Sequence, residues 1–189
     1  MVFTNRLFSL LGLGLLSLPA GLRAEPVKSD DTRLYIDYSA KPNPAHLLAH
    51  NFCILDAEAE ADLGHGHSQG HTYLAYLSTV EAAPGTRLEK EALAAGFALE
   101  TRNHRWNSRL LNVRHESWKQ VMMSQAEAAM RRGFDGLFLD TVDSLALLEK
   151  ADPGHHHESL AAMAGFIREL RGRFPHGTFV INRGFELLQ

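Results

Sequence analysis

Asp140 stands at a junction that suits a reactive carboxylate. The small and apolar run Gly136-Leu137-Phe138-Leu139 leads into it, and Thr141-Val142-Asp143 follow. A short apolar run bounded by polar residues reads as a buried strand, so the carboxyl group at its end is half sheltered and open to influence from its neighbours. Paired carboxyl groups in such settings cleave glycosidic bonds. One protonates the leaving oxygen and the other acts as base or nucleophile. Asp140 is the first candidate for one of these roles; the competing reading is a structural Asp bonded to nearby backbone.

Other apolar runs end in polar groups as well: Asp56, Ser78 with Glu81, Arg114, Asp143, and Asn182 with Glu186. In parallel α/β folds the C-terminal strand ends share one face, and ligands bind there. Carboxylates and an arginine from five elements are therefore expected around one crevice. Taken singly, each has a plain structural reading, and Asp143 before Ser144 suits a helix N-cap.

The elements that must hold these residues follow from periodicity. Strands are expected over 34–38, 52–56, 72–78, 109–114, 136–140 and 178–182, and helices over 88–95, 117–132 and 158–174. The 117–132 segment spaces Trp118, Val121, Met122, Ala126, Ala129 and Met130 as one helical face. The 158–174 segment repeats the pattern and meets Pro175, a stop signal. Strands that are apolar throughout and alternate with helices indicate a parallel sheet covered on both faces. That leaves a doubly wound open sheet or a TIM (β/α)8 barrel. No Gly-rich phosphate loop follows the first strand, which weighs against a nucleotide-binding Rossmann fold. A full barrel needs eight strands and typically ~250 residues. The six strands expected here therefore indicate an open sheet or a barrel incomplete at its C-terminus.

The bulk composition is that of an ordinary globular domain. The chain has 189 residues, 45% hydrophobic and 22% charged, with a net charge of -3. This argues against a nucleic-acid partner, which calls for a basic domain or stripe. Residues 1–24 read as a signal peptide, with Arg6 before the apolar run from Leu7 to Leu18 and small residues up to Ala24. A periplasmic or secreted protein without stable membrane association after cleavage is the expectation. Residues 25–32 form a polar leader and 33–189 the folded domain. Cys53, the single cysteine, lies in the apolar run Phe52–Leu55 and reads as a small buried hydrophobe. His65, His67 and His71 fall in a Gly-rich segment with no carboxylate among them. They read as a solvated loop rather than a zinc site, and His155–His157 as an exposed connection. No metal or other cofactor is expected, and oligomeric state is not legible.

Phe134-Asp135-Gly136-Leu137-Phe138-Leu139-Asp140-Thr141-Val142-Asp143 resembles the G-[FY]-D-G-[VL]-F-L-D-T-[VL]-D signature of the endo-α-1,4-polygalactosaminidase family, glycoside hydrolase family 114. Ala75-Tyr76-Leu77-Ser78 with Glu81 is similar to the family's A-Y-L-S-x-G-E. Trp106 with Val113-Arg114 and Trp118 matches its W…V-R-x-x-x-W. Ile181-Asn182-Arg183-Gly184-Phe185-Glu186-Leu187-Leu188 matches I-N-x-G-F-E-x-L. The resemblance implies a TIM-barrel glycosidase acting on galactosamine-rich exopolysaccharide of biofilm matrices. It implies Asp140 and Glu186 as catalytic candidates, and Asp56, Ser78, Glu81, Arg114, Asp143 and Asn182 as substrate-binding candidates. Trp106 and Trp118 are candidates for stacking on sugars or for packing. Thr79-Val80 stand where the family has x-Gly, so that turn is expected to be altered, and Asn112 replaces a common Asp. The family also carries a Glu on a later strand, in an A-E-S-type stretch beyond Gln189. The partner of Asp140 is therefore either Glu186 or a residue outside this chain. A non-catalytic polysaccharide-binding protein and a truncated, inactive fragment of such a hydrolase remain the alternatives.

Overall fold

The computed structural model describes residues 32–188, within one compact unit; the signal peptide and nearly all of the polar leader lie outside the described residues. Five strands form a parallel sheet in the order β1-β2-β3-β7-β8. They are β1 (Leu34–Asp37), β2 (Phe52–Asp56), β3 (Thr72–Ser78), β7 (Gly136–Asp140) and β8 (Thr178–Ile181). Between β3 and β7 the chain builds β4 (Glu81–Ala82), α3 (Arg87–Ala94), β5 (Ala98–Asn103), β6 (Ser108–Leu111) and α4 (Glu116–Arg131). Strands β4, β6 and β5 form a separate antiparallel sheet. Short helices α1 (Pro44–Ala49) and α2 (Leu63–His67) link the first three strands. A 3-10 turn over Val142–Ser144, then α5 (Leu145–Ala151) and α6 (His156–Arg173), link β7 to β8.

Period-2 alternation sorts the parallel strands into two faces. Cys53, Leu55, Tyr73, Ala75, Leu77, Leu137 and Leu139 point into the helical layer and belong to the main core. The helices answer at their own period: α4 buries Trp118, Met122, Ala126 and Ala129, and α6 buries Met163, Phe166 and Leu170. Trp118 meets Phe166 edge-on at 5.0 Å, a favoured aromatic geometry. The other face carries Ile54 and Leu74, then Tyr76 and Phe138, and ends in Ser78 and Asp140. The register aligns Tyr76 with Phe138 and Ser78 with Asp140.

One expected strand is corrected. The segment expected over 109–114 is not a fourth parallel strand; β6 ends at Leu111 and pairs antiparallel with β5. Four residues separate β5 from β6, enough for a hairpin and far too few for a parallel crossover. β5 itself, Ala-Leu-Glu-Thr-Arg-Asn, has no apolar run to announce it.

β7 and β8 pair at Gly136, where a Cβ would stand 1.8 Å from the carbonyl oxygen of Thr178. The only relief is to push the strands apart. Gly136→Ala is therefore expected to cost about 1–3 kcal/mol. A lowered denaturation midpoint in urea checks this, and an unchanged midpoint contradicts it.

Candidate active site

The site grows from the junction of β3 and β7. After Asp140 the chain turns through Thr141 at φ 62, a left-handed conformation that is costly for a β-branched residue. Hydrogen bonds hold it there. Thr141 Oγ1 accepts from the amides of Thr79 (3.1 Å) and Val80 (2.9 Å) and donates to the Asp140 carbonyl (2.7 Å). That carbonyl also accepts from the Thr79 amide at 3.1 Å and the Thr79 hydroxyl at 2.8 Å. Trp118 Nε1 donates to the Thr79 carbonyl at 2.8 Å, tying α4 to the same turn. Thr79 and Val80, which stand where the family has x-Gly, are fully buried and form the seat of Thr141.

The Asp140 side chain faces away from this seat, and each of its oxygens has a donor. Tyr76 Oη donates to Oδ2 at 2.9 Å, and Asn182 Nδ2 donates to Oδ1 at 2.7 Å. Asn182 is placed by its own amide, which donates to the Leu139 carbonyl at 2.9 Å. The Tyr76 ring lies between Tyr38 (centroids 4.2 Å apart) and Phe138. Burial, then the Asp140 charge, push the Tyr76 phenol far above its ordinary value, so it stays a donor. The same two causes push Tyr38 up to about 12.

Asp140 opens into a cleft of about 790 Å³ whose lining includes Asp56, Ser78, Glu81, Tyr38, Tyr76 and Trp106. Asp56, at the end of β2, accepts from the Glu58 amide at 2.7 Å. Ser78 Oγ donates to the Glu81 carbonyl at 2.6 Å. Glu81 is buried, and its carboxylate accepts from the hydroxyls of Ser108 and Ser144 and, at 2.8 Å, from Asn103 Nδ2. Protein donors thus occupy Glu81. Its place at the cleft is to join β4, β6 and the turn after β7.

Of the eight site residues expected from the sequence, Asp140, Asp56, Ser78 and Glu81 line this cleft, and Asn182 reaches it through Asp140. The other three are engaged elsewhere. Arg114 follows antiparallel β6 rather than a parallel strand, and pairs with Asp152 (2.7 Å) and Glu158 (3.3 Å). Asp143 lies 3.5 Å from Arg183. Glu186 lies within the 3-10 turn Phe185–Leu188 that follows Arg183-Gly184, 3.8 Å from His156 and outside the cleft lining.

Tyr76, Thr79, Thr141 and Tyr38 are the contributors that motif reading passed over. Tyr76 had a signal: it lies two residues before Ser78, on the same strand face. Trp106 is exposed at the cleft, whereas Trp118 is a core residue. His71 is buried just ahead of β3, whereas His65 and His67 lie in the short helix α2 rather than in a loop. His67 bonds Asp135 at 2.9 Å, at the end of β7 opposite Asp140. Among the described residues no group of three or more His, Cys, Asp or Glu side chains is placed to hold a metal ion.

The model of glycoside hydrolase family 114 matches residues 24–189. The chain belongs to this family. The glycoside hydrolase domain of PelA from Pseudomonas aeruginosa is similar at 30% identity and a TM-score of 0.72, over 82% of this chain and 61% of that one. The chain thus spans about three fifths of the length of that domain. Aspergillus fumigatus Ega3, solved in complex with galactosamine, aligns at 15% identity and a TM-score of 0.61, over 78% of this chain and 58% of that one. The α-galactosidase of Thermus thermophilus aligns at 14% identity and a TM-score of 0.54, over 79% and 37%. These last two likenesses show the fold alone. Comparison with curated proteins gives no match. The neighbours are TIM-barrel glycoside hydrolases, so the parallel sheet is of the (β/α)8-barrel type, unclosed within the described residues.

The two cleft tyrosines make the site sensitive to alkali. Their phenols titrate near 10.0 when unfolded and higher when folded. Their contribution to stability is therefore complete below pH 10 and is lost as pH rises from 10 through the folded values. Melting temperature is expected to fall over pH 10–12, and Tyr76→Phe is expected to reduce that fall. An equal slope in the variant contradicts the assignment.

Proposed function

We propose that this chain hydrolyses glycosidic bonds in a galactosamine-rich exopolysaccharide, with Asp140 as one carboxylate of the reacting pair. The observation that carries the reading is Asp140 itself: a strand-end carboxylate, gripped on both oxygens, at the base of an aromatic-lined cleft. Family membership and likeness to the PelA domain support it, as does the galactosamine bound to Ega3. The lining also suits a cationic amino sugar. It holds four carboxylates (Asp56, Glu58, Glu81 and Asp140) against Arg87 and Arg132. Arg87 is paired with Glu58 and Glu91, and Arg132 is bonded to the Ala59 carbonyl.

Hydrogen-bond direction supports one role over the other. A general acid must present a proton to the leaving oxygen, whereas Asp140 receives a donor on each oxygen and is set up as an acceptor. Its role in this reading is nucleophile or base. Tyr76 and Asn182 hold the carboxylate at one orientation, which is how a reacting group gains from position. Glu186, turned toward His156, is assigned no part in bond cleavage. The acid partner would stand ~5–5.5 Å from Asp140 for a retaining mechanism, or ~6.5–9.5 Å for an inverting one.

The signal-like segment 1–24 supports export to the periplasm or beyond. No described helix is long and apolar enough to cross a membrane. A second reading, polysaccharide binding without turnover, is favoured by one observation: Glu81 is saturated by protein donors and Glu186 is turned away, which thins the supply of a second carboxylate.

Reducing-end release from a galactosamine polymer separates the two. Wild type is expected to release product. Asp140→Asn is expected to lose about 10³-fold or more in kcat, and Glu186→Gln to keep the wild-type order of magnitude. Full activity in Asp140→Asn would overturn the assignment, and polymer binding with no product from wild type would establish the second reading.

A further inference from the structure

We infer that the tip of the β5–β6 hairpin is a sugar-stacking subsite of the cleft, with Trp106 as the contact residue and an uncharged, N-acetylated sugar as the preferred occupant. The inference rests on the glycosidase reading above and adds where along the polymer chain acetylation is read.

Trp106 is 66% exposed and lines the same cleft as Asp140, whereas the other tryptophan, Trp118, is 1% exposed. A hairpin tip needs turn formers, not an indole, and leaving so large an apolar ring in water costs free energy that packing does not return. The loop that presents it is built rather than slack. Asn103 accepts from the Trp106 amide through its carbonyl (3.2 Å) and from the Arg105 amide through its side chain (3.1 Å). Arg102 donates to the Asn107 carbonyl at 2.8 Å, and Asn107 takes the left-handed turn at φ 54. Asn103 then donates to buried Glu81, the carboxylate that also holds Ser108 and Ser144. Ser144 closes the 3-10 turn that follows Thr141. One buried carboxylate therefore joins the indole's hairpin to the strand end that carries Asp140, and the two are held in register.

The chemistry of the occupant follows from Arg105. Its guanidinium lies over one face of the Trp106 ring, 5.1 Å from the centroid. A cation there is favourable for the ring and leaves the opposite face for a ligand. A pyranose presents a C–H face that packs on an aromatic ring. A free ammonium would meet the Arg105 charge, an acetamide would not. The carboxylates around Asp140 select in the opposite sense. The cleft thereby reads a mixed pattern: free amine near Asp140, N-acetyl at Trp106.

The test uses the full chain carrying Asp140→Asn, titrated with fully N-acetylated and with fully de-N-acetylated galactosamine oligosaccharides. Intrinsic fluorescence is the readout, because Trp118 is buried and only Trp106 meets ligand. Both sugars are expected to perturb the emission saturably. Trp106→Ala is expected to weaken binding of the acetylated oligosaccharide about tenfold, followed by calorimetry, with Trp106→Phe restoring most of it. Arg105→Gln is expected to tighten binding of the free-amine oligosaccharide. Unchanged affinity in Trp106→Ala overturns the subsite while leaving the glycosidase reading in place. Unchanged preference in Arg105→Gln overturns the acetyl assignment. Absence of binding by either oligosaccharide removes both the subsite and the substrate reading beneath it.

Discussion

The carbonyl of Asp140 accepts from the amide and the hydroxyl of Thr79 and from the hydroxyl of Thr141. This knot where β3 and β7 end sets the geometry of the whole rim. It holds a β-branched residue at positive φ, a conformation that survives only where surrounding contacts over-determine it. Because Thr141 turns the chain at once, β7 stops with its last side chain facing the cleft, and the following residues drop into a 3-10 turn toward the helical layer. Trp118 ties the same turn to α4. The site is thus anchored in the core and not carried by a mobile loop.

Two carboxylates at this rim have opposite surroundings. Asp140 faces the cleft with the Tyr76 phenol, which also lines it, and the Asn182 amide as its partners. Glu81 is shut in by two hydroxyls and an amide, and a buried charge with its partners in place is structural first. Their division of labour is electrostatic: one is presented to the cleft, the other fastens the antiparallel sheet beside it. Both lie at the ends of short strands with apolar neighbours, so composition alone does not tell them apart.

Much of the fold was legible because its signals are local. The apolar runs at 52–56, 72–78 and 136–140 became parallel strands, and the helical spacing in 117–132 and 158–174 became α4 and α6 within a residue or two. The small antiparallel sheet was not legible. β5 is polar, β4 has two residues, and pairing of β6 with either is a long-range event that no window of sequence contains. Arg114 is a case in point: it follows antiparallel β6, and its ion pairs to Asp152 and Glu158, residues beyond β7, hold it outside the cleft lining.

What the sequence determined by itself was the family signature, the alternation of strand and helix, and the position of Asp140 at the end of an apolar run, since each is written in neighbouring residues. Tertiary structure alone decided which carboxylate the cleft exposes. It brought Tyr76 and Asn182 onto opposite oxygens of Asp140 from 64 and 42 residues away. It locked Glu81 among donors from three elements, and it turned Glu186 toward His156. The physical reason is that a carboxylate's role is set by which donors reach it. Strand pairing and helix packing, not spacing along the chain, decide that reach.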